Sequence, residues 1–293
     1  MASPFSASRG YEGPMTSSLL SEGPRPHHKG LLPVSAIVSF LYCPRLAYIT
    51  QVYRPRLRAS KAQLRGLVLH KVIGRIHLFE GDLLALSPSY WNFRELGAIY
   101  IAEGMRFARL VLAAHRKDLK NLGIGIDDLM EEVLFILKGR FERWFWRIKV
   151  LSDKKGLEGD EAPFFFSPER RYQVYLRSWR LGIHGVVDLI EEGLPVELKT
   201  GGFRLDLPSV QLALYAMLIE ETEGRPIERG FLEFLYGDRY RIAISEELRK
   251  RSIKAKNSLE ALLSESKGPS RPAICRKACP AKEICYREES SLV

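Results

Sequence analysis

Two carboxylates and a lysine lie close together in the run from Gly185 to Lys199, Gly-Val-Val-Asp-Leu-Ile-Glu-Glu-Gly-Leu-Pro-Val-Glu-Leu-Lys. Two apolar stretches flank a short turn at Glu191 to Pro195, which is the pattern of a β-hairpin. Asp188 sits inside the first strand, and Glu197 and Lys199 stand two apart at the end of the second. Side chains at i and i+2 share a strand face, so Glu197 and Lys199 point the same way. Converging acids hold a hard divalent cation through oxygen ligands. A neighbouring ammonium offsets charge on a phosphate under attack. This is the minimum equipment for metal-dependent phosphodiester hydrolysis. Glu-x-Lys alone arises often by chance on a solvated strand. Asp188 is more telling, because an acid between Val186-Val187 and Leu189-Ile190 is costly unless paired or bound to a cation.

Other side chains extend the set. Asp188, Glu197 and the backbone carbonyl of Leu198 would hold Mg²⁺ or Mn²⁺, with several waters retained. His70, as a neutral imidazole, would be a further ligand. Coordination makes a water a better nucleophile, and Lys199 would orient it or stabilise developing charge. Gln211 and Tyr215 lie four apart on one helix face and would position water or phosphate. Gly66 and His70 share a face in the same way, and the glycine admits a close approach. Each has a plainer reading: a lone histidine on an apolar helix is commonly a hydrogen-bonded core residue.

The elements that must position these groups follow from periodicity. The apolar segment Ala36 to Thr50 is interrupted at Cys43-Pro44, where a helix breaks or begins. Leu64, Leu67, Val68, Ile73, Ile76 and Phe79 predict a helix over Lys61 to Glu80, followed by a loop at 81–93. Helices are expected over Glu95 to Leu119 and Asp127 to Val150, with Asp127 as an N-cap. Phe141, Trp144, Phe145 and Ile148 read as core packing, and stacking on DNA by Trp144 or Trp146 is the lesser reading. Residues 152–162 read as a loop. Strands are expected at Tyr172 to Trp179, Leu181 to Glu191 and Pro195 to Lys199, and a helix at Pro208 to Thr222. A hairpin at Arg229 to Leu235 and Tyr240 to Ile244 precedes a helix from the Ser245 cap to Ser264. The order implies a mixed sheet flanked by helices.

Composition bounds the rest. The chain has 293 residues, is 46% hydrophobic and has no eighteen-residue apolar run, so a membrane span is not expected. Residues 1–30 are too polar to bury much and contain no apolar leader; they read as a disordered or weakly ordered tail of a cytoplasmic protein. The net charge of +10 suits a polyanion. Arg170, Arg171, Arg177, Arg180 and Arg204 would surround the cleft and meet phosphates without reading sequence, unless they are merely solvated charges. Cys43 stands alone near the start, while Cys275, Cys279 and Cys285 crowd the end. Four thiolates suit zinc or an iron–sulfur cluster. The one-plus-three arrangement fits a cluster better than the two close pairs usual for zinc, and unligated reduced cysteines are the plain alternative. Such a clamp would staple the two ends together and close a very long loop.

Gly66-x-x-x-His70, Gly185-x-x-Asp188, Glu197-x-Lys199 and Gln211-x-x-x-Tyr215 match, in order, the motifs of RecB-type nucleases of the PD-(D/E)xK superfamily. The resemblance implies an α/β, restriction-endonuclease-like mixed sheet flanked by helices. It assigns His70, Asp188 and Glu197 to metal binding, Lys199 to catalysis, and Gln211 and Tyr215 to support. With Cys43, Cys275, Cys279 and Cys285, and the opening Ser39-Phe-Leu-Tyr-Cys43-Pro-Arg-Leu-Ala-Tyr48, the chain resembles the iron–sulfur Cas-four exonucleases of CRISPR systems. That resemblance implies a [4Fe–4S] cluster, single-strand DNA exonuclease activity with some endonuclease activity, and spacer-precursor processing beside the CRISPR integrase. A repair nuclease outside CRISPR, or an assembly subunit holding DNA or the integrase, are the alternatives. The implied organisation is a tail (1–30), an N-terminal segment with the first cysteine (31–60), a nuclease domain (61–265) with a helical insert at about 81–165, and a cysteine segment (266–293). Two departures stand out: more than a hundred residues separate His70 from Asp188, and the tail carries Cys-x3-Cys rather than the commoner Cys-x2-Cys. They point to a divergent, archaeal-type subgroup.

Overall fold

The computed structural model describes residues 30–55, 57, 59–86, 92–155, 169–201, 205–236, 239–265, 268–272, 279–282 and 284–286. The expected tail lies outside these residues up to position 29, as do Arg204 and Cys275.

Strand β1 (Leu32–Pro33) leads into α1 (Val34–Tyr42) and α2 (Pro44–Val52). Pro44 has no N–H to donate, but its fixed φ suits a first helical turn, so the extended Cys43 ends one helix and starts the next. Four helices follow: α3 (Lys61–Leu86), α4 (Phe93–Ala114), α5 (Arg116–Asn121) and α6 (Ile126–Lys155). Helix α3 passes the expected end at Glu80 because the buried stripe of Ile73 and Ile76 continues to Leu83. The single helix expected over Glu95 to Leu119 divides at His115, whose ψ of 10° ends α4. Asp127 does not cap α6; it lies inside the first turn with Asp128, where the helix dipole favours anions. Helix α6 also covers the first residues of the loop expected at 152–162.

The sheet contains β2 (Arg170–Ser178), β3 (Ile183–Glu191), β4 (Leu194–Lys199), β5 (Arg229–Phe234) and β6 (Arg239–Ala243), with β1 at one end of β3. The β3–β4 hairpin turns through Glu192-Gly193, both left-handed, at φ of 51° and 70°. Two successive positive φ values match the twist of a two-residue hairpin. Helix α7 (Asp206–Glu223) crosses from β4 to the parallel β5, and β6 returns antiparallel. Ser245 caps α8 (Glu246–Ser264) as expected, its Oγ accepting from Leu248 N at 3.3 Å.

One sheet face is covered by α7 and α1, and α7 is buried at every position from Leu212 to Ile219. A helix apolar on all sides has no solvated face; α8 covers its outer side. The other face meets α3, α4 and α6 through Leu69, Val72, Ile76, Tyr100, Val133 and Phe141. Trp144 lies in this core, whereas Trp146 is exposed. The mixed sheet flanked by helices agrees with the sequence reading.

A buried cluster of charges joins the helices to the sheet. Glu80 accepts from Arg140 Nε at 2.8 Å, Arg170 Nη1 at 2.6 Å and Tyr100 Oη at 2.9 Å. Arg140 also pairs with Glu233, while Arg170 and Arg239 share Glu191 at 2.9 and 2.7 Å. His77 accepts from Arg140 at Nδ1, 2.9 Å, and burial among arginines keeps it neutral, its pKa well below the usual value. Three carboxylates thus balance three guanidiniums inside the protein, as buried charges require.

Candidate active site

The site forms where β3 loses a neighbour. Strand β2 occupies one edge of β3, and β1 and β4 share the other. β1 pairs with Ile183 and His184, and β4 with Leu189 to Glu191, so among the described residues Gly185 to Asp188 have no ladder partner on that edge. In register, Asp188 would face Glu197. The strands fork there instead, and the Asp188 side chain fills the gap: its Oδ2 accepts from Leu198 N at 3.0 Å. A carboxylate stands in for the missing backbone acceptor.

The fork coincides with a change of face. Val187 and Ile190 pack beneath α7, while Leu189 packs beneath the α3–α6 layer. In an unbroken strand Val187 and Leu189 would share a face. β2 makes the same switch between Tyr172 and Val174, across the left-handed Gln173 at φ 53°. Gln173 Nε2 donates to Asp188 Oδ1 at 3.2 Å. A non-glycine in this conformation is strained, and such strain collects at functional sites.

Helix α3 brings His70 to 3.6 Å from Asp188, Nδ1 to Oδ2. Tyr172 Oη donates to the His70 carbonyl at 2.7 Å and locks that turn of the helix; burial and the Asp188 charge push its hydroxyl up to about 12. Gly66 permits the approach, since a Cβ there would stand 3.1 Å from Thr200 Oγ1 at the end of β4. From the other side, Lys199 Nζ donates to Glu197 Oε1 at 2.7 Å and to Gln211 Oε1 at 3.1 Å. Gln211 Nε2 reaches Tyr215 Oη at 3.3 Å. The Tyr215 ring enters the fork over Gly185, where a Cβ would lie 2.8 Å away. His70, Asp188, Glu197, Lys199, Gln211 and Tyr215 therefore converge from α3, β3, β4 and α7, with Leu198 held between.

Glu197 is buried, and among the described residues its Oε2 has no hydrogen-bond partner. Burial first, and Asp188 second, raise its pKa to about 7, with Lys199 and His70 opposing. A lone anionic oxygen beside a second carboxylate is poorly stabilised by protein alone and suits a dication. Among the described residues no three His, Cys, Asp or Glu side chains form a ready cage. Two carboxylates nonetheless suffice for Mg²⁺, which keeps waters and takes substrate oxygens.

The raised pKa has a testable sign. Folded Glu197 holds its proton to about pH 7, against an ordinary value of 4.5, so its contribution is full below pH 4.5 and drains as pH rises through 7. In chelated protein this amounts to on the order of 3 kcal/mol. Glu197→Gln should flatten the fall in Tm between about pH 5 and about pH 8. Parallel profiles for parent and variant would refute the assignment.

Several expectations are corrected. Arg170 belongs to the buried cluster and does not line a phosphate cleft, while Arg171 pairs with Glu223 and Arg180 pairs with Glu221 at 2.8 Å. Arg177 is exposed. Gln173 and Tyr172 were missed because nothing in their local sequence marks the face switch.

At the far end of the chain, Cys279 and Cys285 pack against α2 through Ile49 and Leu46, directly after Cys43. Buried Arg45 donates from Nε to Cys285 Sγ at 3.0 Å. Cys275 lies outside the described residues. No helix among the described residues is long and apolar enough to cross a membrane.

The family model described as PD-(D/E)XK nuclease superfamily matches residues 32–286. The chain is also similar to a CRISPR-associated exonuclease Cas4/endonuclease Cas1 fusion from Leptospira interrogans serogroup Icterohaemorrhagiae serovar Lai (strain 56601). The two are 29% identical over 135 residues, covering 40% of this chain and 24% of that protein. The match from β1 to the terminal cysteine segment spans the whole forked-sheet site, and the chain belongs to the PD-(D/E)XK nuclease superfamily.

Proposed function

We propose that the protein is a Mg²⁺- or Mn²⁺-dependent deoxyribonuclease that degrades single-stranded DNA from an end, with some internal cleavage. The observation that carries this reading is the buried, unpartnered Glu197 Oε2 beside Asp188, with the Lys199 ammonium 2.7 Å from the other oxygen of Glu197. Asp188, Glu197, the Leu198 carbonyl and His70 would hold the dication. When bound, the ion supplies Lewis-acid polarisation of the phosphate and a more acidic water. Gln211 and Tyr215 hold Lys199 in place, and the ammonium neutralises charge gathering on the phosphoryl oxygens.

Cys43, Cys275, Cys279 and Cys285 would bind an iron–sulfur cluster, preferably [4Fe–4S]. The Arg45–Cys285 contact supports this, because it ties the last cysteine to the helix that starts directly after Cys43. Visible absorbance and paramagnetic resonance of anaerobically purified protein test it; a colourless preparation with stoichiometric zinc would overturn it. The similarity to a fused exonuclease and endonuclease of a CRISPR system supports spacer-precursor processing beside a CRISPR integrase. Residues 61–265 would form the nuclease core between two cluster-bearing segments, 31–60 and 266–293.

The deciding experiment digests 5′- and 3′-labelled single strands with Mn²⁺, with chelator, and with Lys199→Ala. Metal-dependent release from one end, reduced about 10²- to 10³-fold in the variant, is expected. Equal cleavage by parent and Lys199→Ala would reject the site.

A further inference from the structure

Among the described residues, the face of β2 and β3 that runs directly out of the fork is bare. Gln173, Tyr175, Arg177 and Trp179 alternate on the exposed side at the end of β2, while Leu176 and Ser178 turn inward and are buried. The register sets Val186 opposite Tyr175 and His184 opposite Arg177. Tyr172 lies under α3, bonded to its backbone, yet three residues on Tyr175 is 56% exposed, Val186 41% and Trp179 70%. The Tyr175 and His184 rings lie 5.8 Å apart, tilted by 52°.

Folding does not account for this row. A large aromatic left in water gains nothing from burial, and clustered apolar exposure beside a catalytic cleft marks a binding surface. The row contains no acid until Asp188 itself. Among the described residues Arg177 has no carboxylate partner, whereas Arg170, Arg171 and Arg180 are all paired. Flat rings interleaved with a free guanidinium suit an anionic chain of flat bases.

We propose that Tyr175, Arg177, Trp179 and His184 form a track that holds the single-stranded part of the DNA substrate leading into the fork, with bases on the rings and phosphate at Arg177. This rests on the nuclease reading above and adds the path of the strand. The track is tolerant of sequence, since every base has a π-face, and it does not fit a blunt duplex, whose bases are stacked on each other. It also starts at the face switch: Gln173 ends the covered part of β2 and contacts Asp188, so a strand laid along the track meets the carboxylates.

The test measures binding apart from cleavage. In the full chain carrying Asp188→Asn, fluorescence anisotropy with a labelled oligodeoxynucleotide gives Kd for added Tyr175→Ala and Trp179→Ala. Each is expected to weaken single-strand binding on the order of tenfold, and Trp179→Phe to preserve most of it. In the otherwise unchanged enzyme, the same alanine variants should raise KM and leave kcat near the parent's. Unchanged single-strand Kd in both alanine variants would overturn the track and leave the face to a protein partner. Ring-dependent binding by a parent that does not cleave would remove the nuclease reading alone; cleavage with ring-independent binding would remove the track alone.

Discussion

Asp188→Asn should lower metal-dependent cleavage by about 10³-fold without unfolding the protein. Asparagine keeps the shape and offers a carbonyl to Leu198 N–H, which the carboxylate now holds at 3.0 Å. The fork is thus preserved while its second negative charge disappears. Asp188 is one cause of the raised pKa of Glu197, so the metal-free variant should be at least as thermostable as the parent near neutral pH. Divalent metal stabilises whatever state binds it, so Mn²⁺ should raise the parent's Tm and move the variant's little. Cleavage kept within tenfold, together with an unchanged Mn²⁺ shift, would sink the assignment of Asp188.

The largest loss of stability should come from Glu80→Gln, which touches no proposed catalytic group. Glu80 is fully buried and receives Arg140, Arg170 and Tyr100. Taking away one charge leaves three guanidiniums, Arg140, Arg170 and Arg239, in a low-dielectric interior with only two carboxylates, Glu191 and Glu233, to balance them. Breaking a buried pair in this way costs about 3–5 kcal/mol, which is roughly a 10 °C fall in Tm for a chain of this size. Chemical unfolding of both proteins measures it. A difference below about 1 kcal/mol would show that the cluster is not coupled as drawn. The arginines hold Glu80, Glu191 and Glu233 below the ordinary carboxylate value, so their stabilisation is present above about pH 4.5 and is lost as pH falls through the lowered values. Cleavage per folded molecule should be unaltered in the variant.

Legibility differed between elements for physical reasons. The hairpin carrying Asp188 and Glu197 was readable because its turn and its apolar runs are local. The α1–α2 break was readable because Pro44 acts on its own φ. Asp127 was misjudged as a cap because first-turn acids and caps obey similar dipole rules, and only backbone angles separate them. Arg170, Arg171 and Arg180 looked like phosphate ligands because sequence shows a charge and not its partner.

What the sequence alone determined is therefore the set of candidate groups: a strand acid in an apolar run, Glu-x-Lys two residues apart on one face, and a histidine at helical spacing from a glycine. Residue type and short-range periodicity suffice for that, since both are properties of neighbouring positions. Only the tertiary structure decided the geometry: the fork between β3 and β4, the face switch at Gln173 and Asp188, the orphaned oxygen of Glu197, and the pairing of buried charges. Each depends on which distant segment lies across the gap, and burial and electrostatic partners are set by that packing rather than by the order of residues.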